Sequence, residues 1–95
     1  MLISKGTTVG ETVSIKLISG EEIIGRLDEE TSEIIKLNRP KSVSIGPQGL
    51  GMMPFMFLGG SDTIVIKQNH IIVMVPANKE ASDQYVQGTT GIALR

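Results

Sequence analysis

Residues 64–76, IVIKQNHIIVMVP, place four polar residues between two apolar segments that show no alternation. A strand with one face in water alternates apolar and polar residues, whereas a strand covered on both faces need not. Residues 64–66 and 71–75 are therefore predicted to be strands covered on both faces and joined by a polar turn. Because a chain of 95 residues offers little material for that cover, self-association is expected.

The first half of the chain alternates in the way that half-buried strands do. Gly25 indicates strong bending or a close backbone approach within a strand. A third strand is predicted from about residue 33, with Pro40 marking an edge or a bulge in it. The first two strands, with a turn at residues 19–21 between them, follow from the apolar positions Val13, Ile15, Leu17, Ile23 and Leu27.

Residues 46–60, GPQGLGMMPFMFLGG, have the glycines and prolines of a loop but an unusually high apolar content. One interpretation is that residues 55–58 begin the next strand, with Met52 and Met53 packed at a hairpin tip. The other is a methionine-rich surface for a protein partner, formed by Met52, Met53 and Phe55.

The C-terminal part has a helical pattern. Asn78 can cap a helix that runs to about Gln87 and stops at Gly88. Ala81, Tyr85 and Val86 would form its narrow apolar side. No regular helix is expected over residues 1–11, and residues 89–95 are expected to be frayed. Five short strands and one helix predict a mostly β domain, a small and strongly bent sheet or barrel, with its core at residues 12–76 and a helical tail at 77–95.

Composition narrows the classes of function. The net charge of −1 and the presence of only three aromatic residues argue against a general nucleic-acid binder. The chain has no cysteine, which excludes disulfides and thiolate sites. Its longest apolar run, residues 71–75, is far shorter than the roughly 20 residues of a membrane span. No signal-peptide pattern is present, so a soluble, cytoplasmic protein is expected.

Two spacings resemble the motifs of a known family. The pattern VxIxLxxGxxIxGxL at residues 13–27 resembles the first motif of the Sm-like (LSm and Hfq) family. The pattern IVIKQxxIxxM at residues 64–74 resembles the second motif, with Lys67-Gln68 where the family usually has Arg-Gly. The closing Val75-Pro76 is similar to the end of the bacterial Hfq core. Short, divergent Sm-like proteins also occur in bacterial viruses, and this chain resembles that short type.

The resemblance implies a five-stranded, strongly bent antiparallel sheet (the Sm-like small barrel) that assembles as a homo-oligomeric ring. In the family, strand four of one subunit pairs with strand five of the next, and the turn between these strands points into the central opening. Such pairing would cover the two apolar strands and satisfy their edges. The candidate interface residues are Ile64, Val65, Ile66, Ile71, Ile72, Val73 and Met74.

The positions that match the family's RNA pocket carry other residues. The family places an Asp, a stacking side chain and an Asn on the loop between strands two and three. Those positions fall on Thr31, Glu33 and Ile35 in this chain. A carboxylate at Glu33 would stand where a base is expected to stack, so any RNA binding is expected at the central turn instead.

The polar turn supplies the candidate RNA-binding residues. Lysine can pair with phosphate, while the amide and imidazole groups can hydrogen-bond to base edges. Lys36, near Arg39 and Lys41, could extend a basic surface. The plainer interpretations are a turn that only reverses the chain and strand charges that are only solvated. The candidates are Lys67, Gln68, Asn69, His70 and Lys36.

No pattern in the sequence supports catalysis, a cofactor or a metal. Asp28, Glu29 and Glu30 lack the ligand spacing of a cation loop, and His70 is the only histidine. No nucleophile elbow or phosphate-binding loop is present. The predicted function is a non-enzymatic ring that binds single-stranded RNA, as a chaperone or scaffold. The alternative is an assembly or protein-interaction ring that has lost RNA binding.

Overall fold

The computed structural model describes residues 7–90, which form an antiparallel sheet followed by one helix. A single 3-10 turn, Gln68–His70, lies between the last two strands. The mostly β architecture with a C-terminal helix is confirmed. The elements are β1 Thr12–Leu17, β2 Glu22–Glu30, β3 Ile34–Gly46, β4 Gly49–Pro54, β5 Thr63–Lys67, β6 Ile71–Pro76 and α1 Lys79–Thr90.

The sheet is open and strongly bent. Its strand order is β4-β3-β2-β1-β6, and β5 pairs with the first part of β3. Every pairing is antiparallel. Within residues 7–90, no strand pairs with the second edge of β5 or of β6, so the two strands predicted to form a subunit interface each keep a free edge.

The core lies on the concave side of the bent sheet. The alternation predicted for β1 and β2 is confirmed, because each of its apolar positions is buried. Gly20 takes a positive φ of 94° in the turn between these strands, a conformation that suits glycine. The core residues are Val13, Ile15, Leu17, Ile23, Leu27, Ile35, Leu37, Ile66, Ile71 and Met74.

The sheet bends where Gly25 meets the middle of β3. A Cβ on Gly25 would lie 3.3 Å from the Cα of Pro40, so only a residue without a side chain fits comfortably. The β2–β3 register shifts between Ile24 and Arg26, which leaves Arg39 and Pro40 as a bulge. Arg39 has a φ of 50° there. Both predictions, the close approach at Gly25 and the bulge at Pro40, are confirmed.

The prediction that residues 55–58 begin a strand is wrong. The strand in this region is β4, which pairs with residues 41–46 of β3, while β5 pairs with residues 34–38. Residues 55–62 lie opposite the Arg39–Pro40 bulge, where β3 offers no regular ladder, so they loop out. The extra strand raises the count from the expected five to six.

Helix α1 begins as predicted and ends later. The backbone N–H of Ala81 donates to Asn78 Oδ1 at 2.8 Å, which confirms the cap. Gly88 does not stop the helix, which continues to Thr90. The Lys41 Nζ lies 3.4 Å from the position that a Cβ on Gly88 would take. The expected lead-in over residues 1–6 and the frayed residues 91–95 lie outside the described residues.

Tyr85 fastens α1 to the sheet. Its ring is buried, and its hydroxyl donates to the carbonyl oxygen of Asn38 at 2.6 Å. We expect Tyr85→Phe to lower the free energy of unfolding by about 1 kcal/mol, because it leaves a part-buried acceptor without this donor. Urea denaturation measures the difference.

The same hydroxyl makes stability depend on pH. Burial raises the pKa of Tyr85, so the folded protein keeps this proton after the unfolded chain has lost it. The contribution of Tyr85 is therefore complete below the unfolded pKa of about 10 and falls as the pH rises through the folded value. As the pH rises from about 9 to 11, the free energy of unfolding should fall less for Tyr85→Phe than for the wild type. If the free energies of unfolding of the two proteins fall in parallel with pH, this prediction is contradicted.

Candidate functional site

The polar turn between β5 and β6 is tightly built. Lys67 ends β5, Gln68–His70 form the 3-10 turn, and the N–H of Ile71 donates to the Gln68 carbonyl. The His70 carbonyl accepts a 2.9 Å hydrogen bond from the N–H of Ile18. Lys67, Asn69 and His70 are exposed, whereas Gln68 is buried.

Gln68 joins this turn to the turn between β2 and β3. Its backbone N–H donates to the Glu33 carbonyl at 2.9 Å, and its side-chain Nε2 donates to the Thr31 carbonyl at 2.9 Å. Gln68 thus fixes the position of one turn against the other. The sequence pattern groups four polar residues together. In the structure the Gln68 amide points inward, while the other three side chains are exposed.

The two turns share one concavity. Its volume is about 340 Å³, and Lys67 and Asn69 line it on one side with Ser32 and Glu33 on the other. The sequence presents the central turn and the family pocket as competing locations for RNA. The structure places them side by side within one subunit.

Two of the three family pocket positions have structural roles. The Thr31 hydroxyl oxygen accepts from the N–H groups of Glu33 and Ile34, both at 3.1 Å. Ile35 is fully buried in the core. Only Glu33 is exposed toward the concavity, so its carboxylate is the group from these positions that a ligand would meet.

Lys36 lies on the same face of the sheet as Lys67. The β3–β5 register pairs Lys36 with Val65 and Ile34 with Lys67, which makes the two lysines diagonal neighbours. The Lys36 Nζ is 3.2 Å from Glu29 Oε1, so part of its charge is offset. Arg39 Nη2 lies 3.6 Å from Asp62 Oδ2, so its charge is also partly offset.

The candidate interface residues divide into two sets. Ile66, Ile71 and Met74 face the core of their own subunit. Val65, Ile72 and Val73 are exposed, and Ile64 is partly buried. The register shift between β1 and β6 gives β6 an extra residue at Ile72, which explains why Ile72 and Val73 both face outward. Within the described chain, only one face of each strand is covered.

Val75 belongs to the same exposed row, although the sequence pattern does not place it among the interface candidates. Its position two residues after Val73 on one strand face was the available signal. The outer faces of β5 and β6 together thus expose Val65, Ile72, Val73 and Val75.

The candidate partner surface is exposed only in part. Met53 is exposed, Met52 is partly buried, and Phe55 packs against the core. The more exposed apolar side chains follow them in the chain, with Phe57 at 71% and Leu58 at 97% exposure. The sequence pattern assigns residues 55–58 to a strand, so it does not predict their exposure.

The described residues form no cluster of metal ligands and no membrane-spanning helix. No cluster of three or more His, Asp or Glu side chains is placed to hold a metal ion there. Asp28 accepts a 3.1 Å hydrogen bond from Arg26 Nε. Helix α1 is the one α-helix within residues 7–90, and it is too short and too polar to cross a bilayer.

Comparison with known proteins identifies the fold. No family model and no curated protein matches the sequence. Among solved structures, a heptameric archaeal Sm protein matches with a TM-score of 0.51 and 18% sequence identity, over 74% of this chain and 90% of that one. The chain has an Sm fold. In this chain β4 and β5 lie in line along β3, and the concavity lies where β5 turns into β6.

Proposed function

We propose that this protein assembles head to tail into a closed ring, with β5 of one subunit paired to β6 of the next. Each strand has a free edge among the described residues and an exposed apolar outer face. Free edges with exposed apolar side chains favour association. An interface between two different edges is head to tail, and it gives a closed ring when the rotation from one subunit to the next adds up to a full turn.

The proposed ring has about five to seven subunits. The solved structure with the similar fold is described as heptameric, and the family resemblance implies rings of this order. Ring closure would carry the Lys67 turns toward a common centre, because each turn connects the two interface strands.

We further propose that the ring binds single-stranded RNA at the concavity between the two turns. The observation that carries this proposal is the exposure of Lys67 and Asn69 on one wall of that concavity. Lysine supplies charge to phosphate, and an amide supplies hydrogen bonds to base edges. Glu33 on the opposite wall disfavours a stacked base or a nearby phosphate. We therefore propose that the affinity for RNA is modest. We also propose that the ring has no catalytic activity.

Charge accumulates at the centre of such a ring even though each subunit is slightly acidic. The net charge is −1 per chain, so the overall charge of a single subunit does not attract a polyanion. Several Lys67 ammonium groups held near one axis raise the local potential, and repeated weak contacts add up along one strand.

Filter binding with oligo-U and oligo-A tests the RNA proposal. We expect measurable binding at about 50 mM salt and a marked loss at about 200 mM, because binding to phosphates releases counterions. Absence of binding at the lower concentration, with an intact ring, would contradict it. That outcome would favour a ring that binds protein.

A further inference from the structure

The loop between β4 and β5 has an anchored base and an exposed apolar tip. At the base, the Phe55 N–H donates to the Pro40 carbonyl at 2.9 Å, and the Arg39 N–H donates to the Asp62 carbonyl at 2.6 Å. We call Met56, Phe57 and Leu58 the apolar tip. Leu58 is 97% exposed and Phe57 71% exposed, so these two side chains add almost nothing to the core of their own subunit.

A second feature lies beside the start of helix α1. A groove of about 580 Å³ runs between the start of α1, the end of β6 and the β3–β4 hairpin. Ile24, which is buried, faces this groove. We call this the α1 groove. Its rim carries polar groups that include Glu22 and Glu80, and its apolar lining includes Ile24, Val43, Leu50, Val75, Pro76 and Ala81.

Antiparallel pairing brings the two features together in neighbouring subunits. When β5 pairs antiparallel with β6 of a neighbour, the first residue of β5, Thr63, lies beside the last residues of that β6. The apolar tip comes just before Thr63 in the chain. Val75 and Pro76, the last residues of β6, line the α1 groove.

We infer that the apolar tip of each subunit docks into the α1 groove of the next subunit. This inference rests on the head-to-tail ring proposed above. The occupant is a second copy of the chain because the exposed row of Val73 and Val75 on β6 leads directly into the groove. The strand ladder would set the register of the interface, and the tip would supply its apolar anchor.

Docking explains two otherwise unfavourable exposures. Leu58 and Phe57 on the tip leave apolar surface in water, and so does the apolar part of the α1 groove. Gly59 and Gly60 follow the tip and allow the chain to turn back into β5. The same contact would be repeated at every interface of the ring.

Engineered disulfides test the contact directly, since the chain has no cysteine of its own. The test pair is Leu58→Cys with Ala81→Cys in the groove. The control pair is Leu58→Cys with Gln87→Cys, because Gln87 is exposed on α1 away from the groove. Oxidation of the test pair should give a ladder of linked subunits on denaturing gels, since disulfides require Cα atoms within about 7 Å. The control pair should stay mainly monomeric on the gel.

A second variant measures the contribution of the tip without a new bond. Leu58→Ser should weaken subunit association by about tenfold or more while leaving the subunit folded, because the side chain is exposed before assembly. Suppose that light scattering shows the wild-type ring, while the test pair gives no more ladder than the control and Leu58→Ser associates as tightly as the wild type. That combination would overturn this inference and leave the ring proposal standing. A monomeric wild type would overturn the ring proposal and this inference with it.

Discussion

Val73→Lys should convert the ring into a folded monomer. Val73 is 43% exposed in the subunit and lies on the outer side of β6, so lysine can reach water when the subunit is alone. In the ring the same ammonium group would be buried at the β5–β6 interface without a partner. Removing an unpaired charge from water costs several kcal/mol, which weakens each interface by about 100-fold or more. The defect is repeated at every interface.

The fold itself should tolerate this change. Lys16 lies opposite Val73 in the β1–β6 ladder, and a second lysine there costs less than about 1 kcal/mol. Circular dichroism should therefore match the wild type, while light scattering should report the mass of one subunit.

Val86→Lys is the matched control. Val86 is 44% exposed on α1, away from the β5 and β6 edges, and the substitution is identical. We expect this variant to keep the mass of the ring. Dissociation of both variants would indicate a general effect of added charge, and an intact Val73→Lys ring would place the interface elsewhere.

Lys67→Ala should abolish most RNA binding. The side chain is exposed at the end of β5 and makes no capping hydrogen bond to the turn, so truncation leaves the turn intact. One substitution removes one ammonium group from every subunit. At about 50 mM salt the affinity should fall by about tenfold or more, and the slope of log affinity against log salt should flatten by about 0.7 for each phosphate that the ring no longer neutralises.

Lys79→Ala controls for the loss of charge. Lys79 lies on α1, where its Nζ is 2.9 Å from Asp83 Oδ2 and its side chain is 88% exposed. Both variants change the net charge by the same amount, but only Lys67 lines the concavity. Equal losses of affinity in both would show a general electrostatic effect, and unchanged binding in Lys67→Ala would show that the central turn only reverses the chain.

The parts of the fold that the sequence predicts well are set by local pattern. Alternation at Val13, Ile15 and Leu17 is enough to place β1, because one face must enter the core. Gly25 and Pro40 mark the bend because glycine allows close approach and proline cannot donate to a ladder. Asn78 marks the start of α1 because its side chain satisfies a free N–H group.

The parts that the sequence predicts badly depend on distant partners. GLGMMP has the composition of a loop, yet it forms β4 because the long strand β3 supplies a ladder at residues 41–46. The more strand-like segment at residues 55–58 loops out because the part of β3 opposite it is the bulge at Arg39 and Pro40. In both cases tertiary context overrides local propensity.

The candidate site also combines features set by local sequence with features set by distant partners. The resemblance predicts a turn between the last two strands, and the structure has one at Gln68–His70. The inward position of Gln68 depends on carbonyl groups of the β2–β3 turn, which lie far away in the sequence. The diagonal placement of Lys36 and Lys67 likewise follows from the β3–β5 register, which the sequence pattern does not specify.

The mass of the wild-type protein in solution tests the ring most directly. Light scattering at micromolar concentration should give about five to seven times the subunit mass of 10.2 kDa, with one species and no growth into filaments. A single-subunit mass, or a dimer that pairs like edges, would contradict head-to-tail closure through β5 and β6.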